Sequence, residues 1–277
     1  MPDSLDLVGT RFSSVKPPNP TWIAWGTERN GALAVDGVDR VGATFFERIA
    51  RAPPRVLAVD TALGVPAGLA RTMVPLVTNG WQVLEHLVVT PGPVLDSRWA
   101  EWSAAHPGAL RLTEALCHGA PSVTAARPPL WRHLRAFAKA LWELRDQVAV
   151  LPFDSLEMSP LRPMVLESVP ATTLRVLGLP FAFHHADPTQ AAGVEATRER
   201  LEVLRRLPDA LLPYGVRFDL PASVVNLVTL DTAGDALDAI VSLVTAYLAT
   251  RGQWAPPPIT GPHASRALIE GWIVRPA

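Results

Sequence analysis

The segment Arg55-Val56-Leu57-Ala58-Val59-Asp60 constrains the fold most: four consecutive apolar residues that end in a carboxylate. A run without alternation suits a strand buried on both faces, as in the parallel part of an α/β sheet. Met164-Val165-Leu166-Glu167 predicts a second such strand. Ahead of them, residues 5–15, 21–28 and 31–41 read as three short strands, with Arg29-Asn30-Gly31 as a hairpin turn. A short helix follows, with Phe45, Phe46, Ile49 and Ala50 on one face. Residues 67–160 read as a helical insertion whose best helix spans about 130–147. Further helices are expected over 171–178, over 194–207 with an end at Leu207-Pro208, and over 234–250. Thr232 and Asp235 have capping-box spacing for the last of these, and Gly252 suits its stop.

A three-strand meander followed by alternating β and α elements predicts one α/β domain over 1–277, a mixed sheet with helices on both faces. Periodicity alone does not choose among such folds. With 277 residues, 48% of them hydrophobic, the chain can bury a core without staples. A formal net charge of −1 gives no electrostatic footprint for nucleic acid. The single cysteine, Cys117, rules out an intrachain disulfide, and no spacing around His118 supports a zinc site. The first residues lack the pattern of a signal peptide. The most apolar stretch, 236–250, is broken by Asp238, Ser242 and Thr245, so a cytoplasmic protein with no membrane partner is expected.

Four segments carry a resemblance. They are Leu7-Val8-Gly9-Thr10-Arg11-Phe12-Ser13-Ser14, Val59-Asp60-Thr61-Ala62-Leu63-Gly64-Val65-Pro66, Leu166-Glu167-Ser168-Val169-Pro170-Ala171, and Gly234-Asp235-Ala236-Leu237-Asp238-Ala239 followed by Glu270-Gly271-Trp272-Ile273. In order and spacing the chain resembles a family of predicted RNase H-like nucleases carrying a domain-of-unknown-function label. The resemblance implies a ribonuclease H-like fold and, by analogy, metal-dependent phosphodiester hydrolysis with Mg²⁺ or Mn²⁺. Asp60, Asp235 and Asp238 match the family's later acidic positions, Asp60 and Asp238 as metal ligands, and Glu167 at a strand end is a fourth candidate. The family's first-strand aspartate is replaced by Arg11.

Hydrolysis by two divalent ions about 4 Å apart needs carboxylates on rigid elements. A guanidinium cannot ligate a metal and does not deprotonate. If Arg11 reaches the carboxylates, opposite charges 4 Å apart attract by about 4 kcal/mol at an effective dielectric of 20, enough for it to take a cation's place. Two readings follow: a metal-dependent nuclease, or a non-catalytic relative that binds or scaffolds. The plainer readings stand beside them: Asp60 as a strand-end carboxylate, Asp235 as a helix N-terminal acid, and Glu167 with a structural partner. Arg132, Arg135 and Lys139, with Trp131 and Trp142 nearby, offer a nucleic-acid-binding face or simply a solvated one. His184-His185 reads as a loop.

Overall fold

A computed structural model of the chain describes residues 6–12, 22–41, 45–117, 129–155, 162–181, 191–257 and 260–277. Both apolar runs become central strands. β4 (Val56–Asp60) pairs in parallel with β6 (Met164–Ser168) on one side and with β1 (Leu7–Arg11) on the other. β2 (Trp22–Arg29) and β3 (Ala32–Arg40) complete an antiparallel meander with β1. Asn30 and Gly31, with φ of 54° and 74°, form the two-residue turn whose twist matches that of the flanking strands. Short strands β5 (Ala149–Val150), β7 (Arg217–Asp219) and β8 (Ile273–Val274) extend the sheet. Its order is β5-β6-β4-β1-β2-β3-β7, and β8 pairs with the end of β6.

Side-chain alternation divides the strands between two cores. Leu7, Val56, Ala58 and Leu166 face α7 (Pro170–Val176), α8 (Ala191–Leu211), α9 (Ala222–Leu230) and α10 (Asp235–Thr250). Val8, Leu57, Val59 and Val165 face α1 (Phe45–Arg51), α2 (Ala67–Met73), α3 (Gly80–Val89), α4 (Gly92–Ala105) and α6 (Pro129–Glu143). Every residue of α10 from Ala236 to Ala249 is buried. It lies so close on β1 that a Cβ at Gly9 would overlap the backbone of Ala239 and Leu243. No helix among the described residues is long and apolar enough to cross a membrane.

Three expectations need correction. The 67–160 insertion is helical through α5 (Leu112–Leu116) and α6, but the chain rejoins the sheet at β5, a strand of two residues and too short to show a period. α8 does not stop at Leu207-Pro208. Proline costs one helical hydrogen bond there, but Leu207 and Leu211 are both buried in the same core and carry the helix through it. The start of α10 has no capping box. Instead the Asp231 carboxylate accepts the Ala236 N–H at 2.7 Å and the Ala233 N–H at 3.4 Å, in front of an N-cap glycine, Gly234.

Candidate functional site

The parallel register sets Arg11 directly beside Asp60 at the ends of β1 and β4, with both side chains on the α10 side of the sheet. The first turn of α10 brings Asp235 and Asp238 to the same corner, three residues apart and so on one side of the helix. Arg11 Nη1 donates to Asp60 Oδ2, and its Nε lies 3.0 Å from Asp235 Oδ1 and 3.3 Å from Asp238 Oδ2. The Arg11 side chain is 23% exposed and that of Asp238 only 2%. Three of the four acidic residues singled out in the sequence therefore converge, and what they converge on is a guanidinium.

Three carboxylates against one guanidinium leave a formal charge of −2 if all are ionised. Burial pushes the Asp238 carboxyl well above its ordinary range, against the pull of Arg11 and with the help of Asp60 and Asp235. Asp60 also moves up, by burial first, while Arg11 draws it back. For Arg11, burial favours the neutral form, but Asp60, Asp238 and Asp235 outweigh it and raise its pKa further, so the guanidinium stays charged. The positive end of the α10 dipole is complementary to the acids of its first turn and acts against the guanidinium, which the three carboxylates hold there all the same.

These residues do not fit a divalent ion. The carboxylates that would ligate it are turned onto Arg11, which offers only donors. Among the described residues no group of three or more His, Cys, Asp or Glu is placed to hold a metal.

Glu167 is not part of this corner. Val59 is the β4 partner of Glu167, so Glu167 shares the face of Val59, and Ser168 takes the α10 side, donating to Ser242 at 2.8 Å. On its own face Glu167 meets Arg111, which the sequence reading missed. Arg111 is fully buried and bonds Glu167 through both terminal nitrogens, at 2.6 and 2.8 Å, and Glu114 through Nε at 2.8 Å. Burial would lower the Arg111 pKa, yet Glu167 and Glu114 raise it. Glu167 also accepts the Leu63 N–H. Glu270 joins from α11 (Pro262–Glu270): its carboxylate accepts the N–H groups of Ala67 and Leu112, the first residues of α2 and α5. Gly64 is pressed against Glu270, where an added Cβ would lie 2.6 Å from its carbonyl carbon. This is a satisfied ionic tie between the insertion, the loop after Asp60 and the C-terminal segment. The signal available was Arg111-Leu112-Thr113-Glu114, an i,i+3 ion pair at a helix start.

The basic face is divided. Arg135 donates to the carbonyls of Leu87 (3.0 Å) and Thr90 (2.8 Å), holding the turn between α3 and α4. Lys139 is exposed, and the side chains of Trp131 and Arg132 lie outside the described residues. Trp142 has the Arg145 guanidinium 4.7 Å over its ring. His118 and His184-His185 fall outside the described residues. Cys117 is buried, which pushes its thiol pKa up.

Among known proteins, the model of one family, described as a protein of unknown function (DUF429), matches residues 17–260. The chain belongs to this family. The DUF429 match takes in Asp60, Glu167, Asp235 and Asp238, and starts after Arg11 and β1. Searches of curated proteins and of solved structures return no match.

Proposed function

We propose that this DUF429 protein is a ribonuclease H-like domain that acts by binding a partner and has no metal-dependent hydrolysis of its own. The observation that carries the reading is Arg11 bound by Asp60, Asp235 and Asp238. The β3-β2-β1-β4-β6 core, an antiparallel meander followed by parallel strands, is in keeping with the fold that the four sequence segments imply. Fold alone does not fix an activity. Hydrolysis of this type uses a pair of ions clamping the attacking and leaving oxygens, and here a permanent monocation stands among the carboxylates that would bind them. The near-neutral net charge, and the engagement of Arg135 with backbone carbonyls, favour a protein partner over a polyanion.

The test is hydrolysis of single- and double-stranded DNA and RNA in Mg²⁺ and in Mn²⁺. The purified protein is expected to cleave no faster than its Asp60→Asn and Asp238→Asn variants. Cleavage by the wild type that either substitution abolishes would restore the nuclease reading.

A further inference from the structure

We propose that Arg11 is a tethered substitute for a divalent cation, whose charge holds the N-terminal turn of α10 against the ends of β1 and β4. The inference rests on the non-hydrolytic reading above and gives its physical basis. The corner joins three separate elements: Arg11 comes from β1, Asp60 from β4, and Asp235 and Asp238 from α10. A guanidinium is planar and donates in several directions. This one gives Nη1 to the strand carboxylate and turns Nε to the two helix carboxylates. Without Arg11 the three acids would carry a formal charge of −3 when all are ionised, at a place where α10 packs on β1 with no room for a Cβ at Gly9. The backbones that carry the acids are therefore held close, and repulsion among the carboxylates works against the seating of α10 on the sheet.

The tether matters as much as the charge. Arg11 pairs with Trp22 on one side and Asp60 on the other, so its backbone is fixed and its charge arrives with the fold, independent of any ion concentration. The side chain of Asp238 is 2% exposed, and water cannot replace a counter-charge there. The wild-type corner should thus be indifferent to chelators and to divalent ions. With the arginine side chain removed, three carboxylates are left facing a space, the oxygen-rich setting that a small hard cation prefers.

Thermal unfolding of the full chain tests this, with Mn²⁺ as the probe, in the wild type, Arg11→Met, Arg11→Lys and Arg11→Ala. Millimolar Mn²⁺ or excess EDTA should leave the wild-type midpoint unchanged. Arg11→Met keeps bulk without charge and should lower the midpoint by roughly 5 °C or more, while Arg11→Lys should retain most of it. Arg11→Ala should recover part of its loss in Mn²⁺ but not in K⁺ at equal ionic strength. Adding Asp238→Asn should abolish that recovery. A midpoint for Arg11→Met equal to that of the wild type overturns the proposal, as does an Arg11→Ala protein that folds and ignores Mn²⁺. If Arg11→Ala does not fold, the contrast between Arg11→Lys and Arg11→Met decides. A rise of the wild-type midpoint in Mn²⁺ would instead strike at the non-hydrolytic reading, because it would reveal a metal seat beside Arg11.

Discussion

Replacing Arg111 with methionine should be among the most damaging single changes in this protein. The Arg111 side chain has no exposed surface, and it bonds Glu167 twice, at 2.6 and 2.8 Å, Glu114 at 2.8 Å and the Glu270 carbonyl at 3.1 Å. Methionine fills much of the space but takes the guanidinium away from the buried carboxylates of Glu114 and Glu167. Breaking a buried pair by removing one partner costs about 3–5 kcal/mol, against a total stability of roughly 5–15 kcal/mol for a globular protein. At about 2–4 °C per kcal/mol for a domain near this size, the midpoint should fall by roughly 6–20 °C. Urea titrations followed by far-UV circular dichroism measure the loss. Arg205→Ala, which breaks an exposed pair with Glu202, serves as the comparison and should leave the midpoint unchanged. Adding Glu167→Gln to Arg111→Met should recover part of the loss, since it removes one of these buried charges. A loss below about 1 kcal/mol for Arg111→Met would refute the reasoning, because it would mean that the two glutamates neutralise or rearrange at little cost.

Other consequences can be checked with the same titrations. Asp238 has a raised pKa in the folded state, so folded protein keeps a proton that the unfolded chain has released. Stability should therefore decline as pH rises from about 4 through the folded value, by at most about 1.4 kcal/mol per pH unit for one proton, and Asp238→Asn should flatten that decline. Gly64→Ala should cost about 1–3 kcal/mol, as its Cβ would meet the Glu270 backbone at 2.6 Å, whereas Gly178→Ala, at φ 67° in open space, should cost about 1 kcal/mol. Arg135→Ala should lower stability by about 1–2 kcal/mol by releasing the Leu87 and Thr90 carbonyls, and should leave any affinity for single-stranded DNA unchanged in a fluorescence titration.

The central sheet was legible because its signals are local. The runs ending in Asp60 and Glu167, and the Asn30-Gly31 turn, each state their structure within a few residues. The faces were not legible in the same way. Asp60 is the fifth residue of its strand and Glu167 the fourth of its own, and only the register that pairs Val59 with Glu167 shows that the two carboxylates point apart. Asp235 and Asp238 could be joined to Asp60 because helix spacing fixes their shared side and the family resemblance supplied the third partner. Arg111 escaped notice because its partners, Glu167 and Glu270, lie 56 and 159 positions away. Asp231 took over the cap expected of Thr232 for a similar reason: several residues near a helix start can bond its free N–H groups, and the chain's path into the helix selects one. β5 and β8, of two residues each, exist only because β6 offers them an edge.

The most direct test of the account is calorimetric titration of Mn²⁺ into the wild-type protein and into Asp60→Asn. The account predicts no binding heat for either at millimolar Mn²⁺, because Arg11 already occupies the corner where Asp60, Asp235 and Asp238 meet. Saturable binding by the wild type that Asp60→Asn abolishes would place a metal among these carboxylates despite Arg11 and contradict it.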